Sequence, residues 1–298
     1  MPRRCGAMQV NERLYEMDPK LREKQDRIER GTQRSIERGE AQRVLQRLIR
    51  IPVVVHVIWR REVENVSDEQ IESQIDVLNR DFRAQNPDRA NVPDVWAGLV
   101  ADANIEFRLA TRDPAGKPTK GITRTKTTRE SFGSGDSVKT TKGGGHAAWP
   151  TDRYLNVWVC NLAGGLLGYA QFPGGPKATD GIVILYSAFG TTGAARAPFN
   201  GGRTATHEVG HWLNLRHIWG DRTDCQGNDF VVDTPRQKLP NGGKPAFPHI
   251  SCNNGPSGDM FMNYMDYVDD EAMVMFTTAQ VTRMNATLAG PRKKIAGN

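Results

Sequence analysis

The chain has 298 residues, 38% apolar and 25% charged, which suits one large or two modest soluble domains. No run approaches the roughly 18 apolar residues of a membrane span, and the first twenty residues contain no apolar stretch of a secretory signal. Of the net charge of +6, residues 1–50 carry +5, from 13 Lys/Arg against 8 Asp/Glu; the nearly neutral remainder argues against a nucleic-acid-binding body.

The chain opens on MPRRCG, with Cys5 beside two arginines. Residues 11–48 are rich in Glu, Arg, Lys, Gln and Leu, and read as broken helices with charged faces that cannot bury a core alone. At IPVVVHVIW (51–59) the character changes to a β-branched run, a buried strand. Ser67 then reads as an N-cap, with Gln70 completing a capping box, and Ile71, Ile75, Leu78 and Phe82 share one face of the helix that follows. Residues 104–111 read as a strand. The Gly/Thr/Lys-rich stretch 112–148 reads as a mobile or loosely paired surface connection. Strands follow at 153–162 and 180–189, with a short glycine-framed strand between them. The pattern predicts an α/β (α+β) sandwich on a mixed sheet. Cys5, Cys160, Cys225 and Cys252 allow three full pairings, and spacing does not choose among them.

The most informative stretch is TATHEVGHWLNLRHIWGD (204–221). His207 and His211 stand four apart, so a helix places them on one face, one turn apart. Glu208 flanks the same site as a carboxylate free to act as a general base. His217 supplies a third nitrogen if the chain turns sharply after the helix. Three of the chain's six histidines fall within eleven positions, which makes incidental histidines a poor explanation.

His207-Glu208-x-x-His211-x-x-Asn214-x-x-His217 resembles the extended zinc motif of metzincin metallopeptidases. That family has glycine where this chain has Asn214, at a left-handed turn that asparagine tolerates at a cost of about 1 kcal/mol or less. MNYMDY (262–267) resembles the family's Met-turn. Within the metzincins, GGGHAAWPTDRYLNVWVCNL, GYAQFPGG, DGIVILY, DTP and the segment after Met262 resemble the pappalysins of the ulilysin type, over roughly residues 51–290.

The resemblance implies a metzincin catalytic domain over 51–298, with a mixed twisted sheet, a backing helix and an active-site helix. Its N-terminal subdomain would be 51–217 and its irregular C-terminal subdomain 218–298. It implies one catalytic zinc on His207, His211 and His217, with Glu208 as base, Tyr267 facing the metal site and Met265 as an apolar floor. It implies that residues 1–50 are an inhibitory pro-segment whose Cys5 takes the fourth zinc position, lying as a basic segment along an acidic cleft and removed by a cut within 34–50. A Cys225–Cys252 disulfide would contribute roughly 3.5 kcal/mol in loop-entropy terms and fit an exported protein. A second bridge of some relatives is missing, with Lys244 and Ala272 at its positions, and Cys160 packs as a small apolar residue. Structural calcium is implied at Asp229, Thr234 and the Val232 carbonyl. Glu271 is implied at the base of a pocket favouring a basic residue after the cleaved bond. Leu166, Gly168 and Ala170 mark an edge strand to which an extended substrate adds.

The reading is therefore a secreted, latent zinc endopeptidase acting on proteins or peptides before Arg or Lys, with no nucleic-acid partner and no membrane span. A non-catalytic zinc-stabilised adhesion or binding module would not need Glu208, and a hydrolase of non-peptide bonds would not need the edge strand.

Overall fold

The computed structural model describes residues 2–41 and 47–297. The basic N-terminal stretch forms α1 (Ala7–Met17) and α2 (Lys20–Glu37). Asp18 and Pro19 separate them, and the Asp18 carboxylate accepts from the Lys20 amide at 3.1 Å. These helices do not lie free in solvent. In α1, Ala7, Val10, Asn11 and Leu14 are buried, a spacing that puts them on one face. Residues 42–46, within the stretch expected to be cut, lie outside the described residues.

The central strand is β1 (Ile49–Trp59). Its apolar side chains are buried on both faces, as a near-continuous β-branched run requires. Along one edge it pairs in parallel with β2 (Ile105–Leu109) over its first half and β3 (Ile122–Lys126) over its second. Its other edge takes β4 (Leu155–Cys160), then β6 (Ile182–Leu185) and the antiparallel edge strand β5 (Gly168–Ala170). The sheet is mixed, as expected, through this one antiparallel strand.

The structure corrects the reading of 112–148. This stretch contains β3, and it buries Phe132, Val138 and Lys139 against the sheet. Its Thr-rich strand ITRTK pairs on β1 although only one of its side chains is apolar, because backbone pairing needs no apolar run.

The face of the sheet carrying Ile51, Val53, Val55 and Val57 packs against α3 (Asp68–Phe82) and α4 (Arg203–Trp212). Ser67 caps α3 by accepting from the Gln70 amide at 3.2 Å. The Gln70 side chain does not close a capping box; it donates to the Tyr186 and Phe189 carbonyls at 3.1 and 2.7 Å. The two helices are joined by charge. Arg203, first residue of α4, pairs with buried Asp81 of α3 at 2.9 Å and with Asp88 at 2.8 Å. Thr206 donates to Asp81 at 2.6 Å. Burial pushes the Asp81 carboxyl up to about 7, against the pull of Arg203.

Beyond His217 the chain is largely irregular, with a two-residue parallel pair between β7 (Gly242–Gly243) and β8 (Tyr267–Val268). Near its end comes α5 (Thr278–Ala289), whose Val281, Met284 and Leu288 fall at helical spacing and are buried. Thr277 and Gln280 form its capping box, and Asp233 accepts from Thr277 Oγ1 and the Ala279 amide at 2.6 and 2.8 Å.

Candidate active site

Every residue of α4 is buried, and His207 and His211 project from it one turn apart. The helix ends in a Schellman turn. The Asn214 amide returns to His211 O and the Leu215 amide to Gly210 O, both at 2.9 Å, with Asn214 at φ +73°. That turn brings His217 back beside the helix. The Nε2 of His211 lies 3.1 Å from the Nε2 of both His207 and His217. Each Nδ1 is engaged from behind: His207 on Tyr264 O at 2.7 Å, His211 on Leu215 O at 2.8 Å, and His217 on the Asp221 carboxylate at 2.6 Å. Acceptors at all three Nδ1 atoms fix the tautomer, so three bare Nε2 lone pairs face one another. Lone pairs at this separation repel unless a cation sits among them, and three imidazoles suit zinc. The donor set fits that metal. Asp221 was not legible as part of the site; no fixed spacing marks the carboxylate behind a third ligand.

Glu208 is buried beside this cluster, and burial pushes its carboxyl up to about 8. It lies against the edge strand so closely that a Cβ on Gly168 would stand 2.9 Å from its Cγ. Cys5 Sγ lies 3.5 Å from Glu208 Oε2 and within 4.8 Å of the ligand atoms of all three histidines. Burial and the Glu208 charge both push the Cys5 thiol up. Met265 underlies α4; a Cβ on Gly210 would meet its sulfur at 2.5 Å. The Tyr267 ring lies 5.7 Å from His207 and 5.0 Å from His217.

The edge strand is already occupied. Cys5 bridges Gly168 in parallel; the Gly6 amide donates to Gly168 O and the Leu167 amide to Arg4 O, both at 2.9 Å. Arg3 enters a buried pocket. It pairs with Asp270 at 2.5 Å, donates to Val268 O and Thr204 Oγ1, and lies 5.0 Å over the Phe199 ring. This corrects the place expected for Glu271, whose side chain is exposed and pairs with Lys244. The inward-facing acid is its neighbour Asp270, which also accepts from the Gly201 and Arg203 amides. In the sequence the two acids are adjacent and alike; only the fold decides which turns inward.

Cys225 and Cys252 are bridged, and Cys160 is a buried free thiol. Asp229 is buried, accepts from Thr234 Oγ1 at 2.7 Å and is pushed up to about 6 by burial. Val232, between them in sequence, has an almost fully exposed side chain.

The family model described as "Pregnancy-associated plasma protein-A", peptidase family M43, matches residues 140–289. The chain belongs to this family, the pappalysins. A promirolysin mutant of Tannerella forsythia is 47% identical, with a TM-score of 0.90 over 98% of this chain and 97% of that one. Mature mirolysin of the same organism, solved with a cleaved peptide, is 54% identical with a TM-score of 0.81, over 83% of this chain and 95% of the other. Extracellular metalloprotease 1 of Coccidioides posadasii is 33% identical over 81% of this chain and 78% of its own length. This pappalysin is thus a metalloprotease of the metzincin fold, in a family that implies zinc, and none of its described helices is long and apolar enough to cross a membrane. The binding-module reading is not favoured.

The contact between Gly168 and Glu208 is directly testable. Gly168→Ala should lower kcat at least about tenfold, because the added methyl displaces Glu208. Bound zinc, measured by atomic emission, should stay at the wild-type level. Unchanged kcat would show that the carboxylate tolerates the shift.

Proposed function

We propose that this pappalysin is a secreted zinc endopeptidase, made latent, that cuts protein or peptide chains before arginine and, less efficiently, lysine. The observation that carries the reading is Arg3 in the Asp270 pocket while Cys5 stands among the three histidines. Residues 1–50 are the inhibitory segment, 51–217 the N-terminal catalytic subdomain and 218–298 the C-terminal one. The extracellular relatives and the bridged Cys225–Cys252 pair support export.

His207, His211 and His217 would hold the zinc, and Cys5 would complete its shell in the latent form. A zinc ion held there supplies Lewis acidity: it makes water a nucleophile near neutral pH and polarises the peptide carbonyl. Glu208 removes the proton from the attacking water and delivers it to the leaving amine. The Tyr267 hydroxyl faces the same site and donates to the oxygen on which negative charge develops. The edge strand around Leu166, Gly168 and Ala170 aligns the substrate backbone. Asp270 receives a guanidinium, which matches a carboxylate with two parallel hydrogen bonds; lysine offers a single point charge.

An unstructured protein incubated with activated enzyme, with cut sites mapped, tests this reading. Cuts should precede Arg and Lys and vanish with a zinc chelator. Glu208→Ala should keep zinc but lose at least about a hundredfold in kcat, and Asp270→Asn should level the preference for basic residues. Cuts unrelated to basic residues would remove the pocket assignment and leave the zinc chemistry standing.

Latency is tested separately. Full-length protein should be nearly inactive and cut itself within residues 34–50, and Cys5→Ala should raise its activity before any cut. A zinc-edge absorption spectrum without a sulfur ligand, together with unchanged latency in the variant, would reduce Cys5 to a bystander.

We also place a structural calcium ion at Asp229, Thr234 and the Val232 carbonyl; the buried Asp229 carboxylate is what a cation there would neutralise. Calcium removal with zinc retained should lower the melting temperature, and re-addition should restore it, since an ion bound only by the folded state stabilises it. A melting temperature indifferent to calcium would end this assignment.

A further inference from the structure

Arg283 of α5 is fully buried. Its Nε donates to Asn214 O at 2.9 Å, and its terminal nitrogens grip both oxygens of Glu29 in α2, at 2.7 and 2.5 Å. Arg216 acts on the same carboxylate. Burial pushes Glu29 up, and the Arg283 fork, its charge and that of Arg216 outweigh it, so Glu29 stays below the usual carboxylate range. Nε of Arg216 has no hydrogen-bond partner although buried, and the Asn214 side-chain amide also draws the Glu29 carboxyl down. Two guanidiniums and an amide thus act on one carboxylate, gripped directly by Arg283, and that carboxylate comes from the N-terminal segment.

These groups belong to the active-site wall. Asn214 and Arg216 lie between the metal-facing His211 and His217. Arg216 stacks 4.1 Å from the Phe172 ring, and Phe172 lies 5.3 Å from the His211 ring. On its other side Arg216 touches the sulfur of Met8, three residues after Cys5. The first turn of α1 therefore rests on Arg216, away from the pocket that holds Arg3. A substrate with its arginine in that pocket and the bond before it at the histidines lays its preceding residues where α1 begins.

When the N-terminal segment departs, Arg283 loses its bidentate partner and Arg216 the Glu29 charge, while Asp229 and Asp221, bonded to Thr234 and His217, act on them without a direct hydrogen bond. A buried charge that loses its direct hydrogen-bonded partner is costly. The Asn214 carbonyl keeps the Arg283 fork aimed, so little ordering is needed to bind another acid. We propose that Arg283 and Arg216 form a carboxylate subsite of the mature enzyme, filled in the latent form by Glu29 and in the active form by an acidic side chain upstream of the cleaved bond. This rests on reading residues 1–50 as a removable inhibitor and the Asp270 pocket as the site of the residue after the cut.

The test uses mature, zinc-loaded enzyme in two arms. In the first, a synthetic peptide of residues 2–41 is the inhibitor. The wild-type sequence should inhibit, and the Glu29→Gln peptide should bind at least about tenfold more weakly, as expected for breaking a buried charge-paired contact. A wild-type peptide that does not inhibit sinks the inhibitory-segment reading itself; equal inhibition by both peptides sinks the carboxylate site. In the second arm, arginine-containing substrates carry Glu or Gln at each of the second to sixth positions before the cut. One position should favour Glu about fivefold or more in kcat/KM, and Arg216→Gln should erase that preference. Equal rates for Glu and Gln at every position overturn the proposal. So would the same result with glutarate raising the melting temperature of the mature enzyme, which would make this a site for small free anions.

Discussion

The rest of the molecule is arranged around three imidazoles made to face one another. The Nε2 of His211 stands 3.1 Å from that of each of the other two because each Nδ1 is held from behind. The acceptors come from three places: Tyr264 O beside the Met-turn, Leu215 O in the turn that ends α4, and the Asp221 carboxylate beyond it. The irregular C-terminal part is thereby tied to the helix of the N-terminal part at the point of chemistry. The charge cluster Asp81–Arg203–Asp88 secures that helix to the one behind it. Glu208 can approach the same point only because the edge strand offers Gly168 and no side chain.

Features that depend on local spacing were legible in the sequence. The i, i+4 pair His207 and His211 needs only a helix, and the third histidine needs only a left-handed turn. Asn214 adopts that turn at φ +73°, with the hydrogen bonds that glycine would make. The β-branched run of β1 announced a strand buried on both faces. What escaped the sequence depends on partners distant along the chain. Strand β3 owes its place to the free edge of β1, and its alternating threonines carry no apolar signal. Helix α5 is different: its cap, Thr277 and Gln280, and its stripe of Val281, Met284 and Leu288 are local signals that the sequence reading did not use. Between Asp270 and Glu271, burial against Thr204 and Arg3 decides, and no local rule separates adjacent acids.

The N-terminal segment illustrates the same limit. Its excess positive charge suggested a basic ribbon on an acidic groove. The contacts are particular, and they run in both directions of charge: Arg3 on Asp270, Arg13 on Asp136, but Glu29 on Arg283. Net charge describes long-range attraction, whereas docking here is set by individual pairs with buried partners. The apolar residues Val10, Leu14 and Leu21 complete a cluster with Phe132, Leu166 and Tyr169, so the segment finishes a core that the catalytic body leaves open.

The parallel pairing of Cys5 with Gly168 has a consequence for the segment's own survival. In a chain cut before its arginine, the reacting carbonyl belongs to the residue preceding that arginine. Here the chain leaves the Asp270 pocket and reaches the histidines two residues after Arg3, at Cys5. The arginine side chain is in the pocket, but the residue that stands among the histidines is Cys5, not the one that precedes Arg3. A segment laid down in this register can place an arginine in the Asp270 pocket without bringing the bond before it to the three histidines.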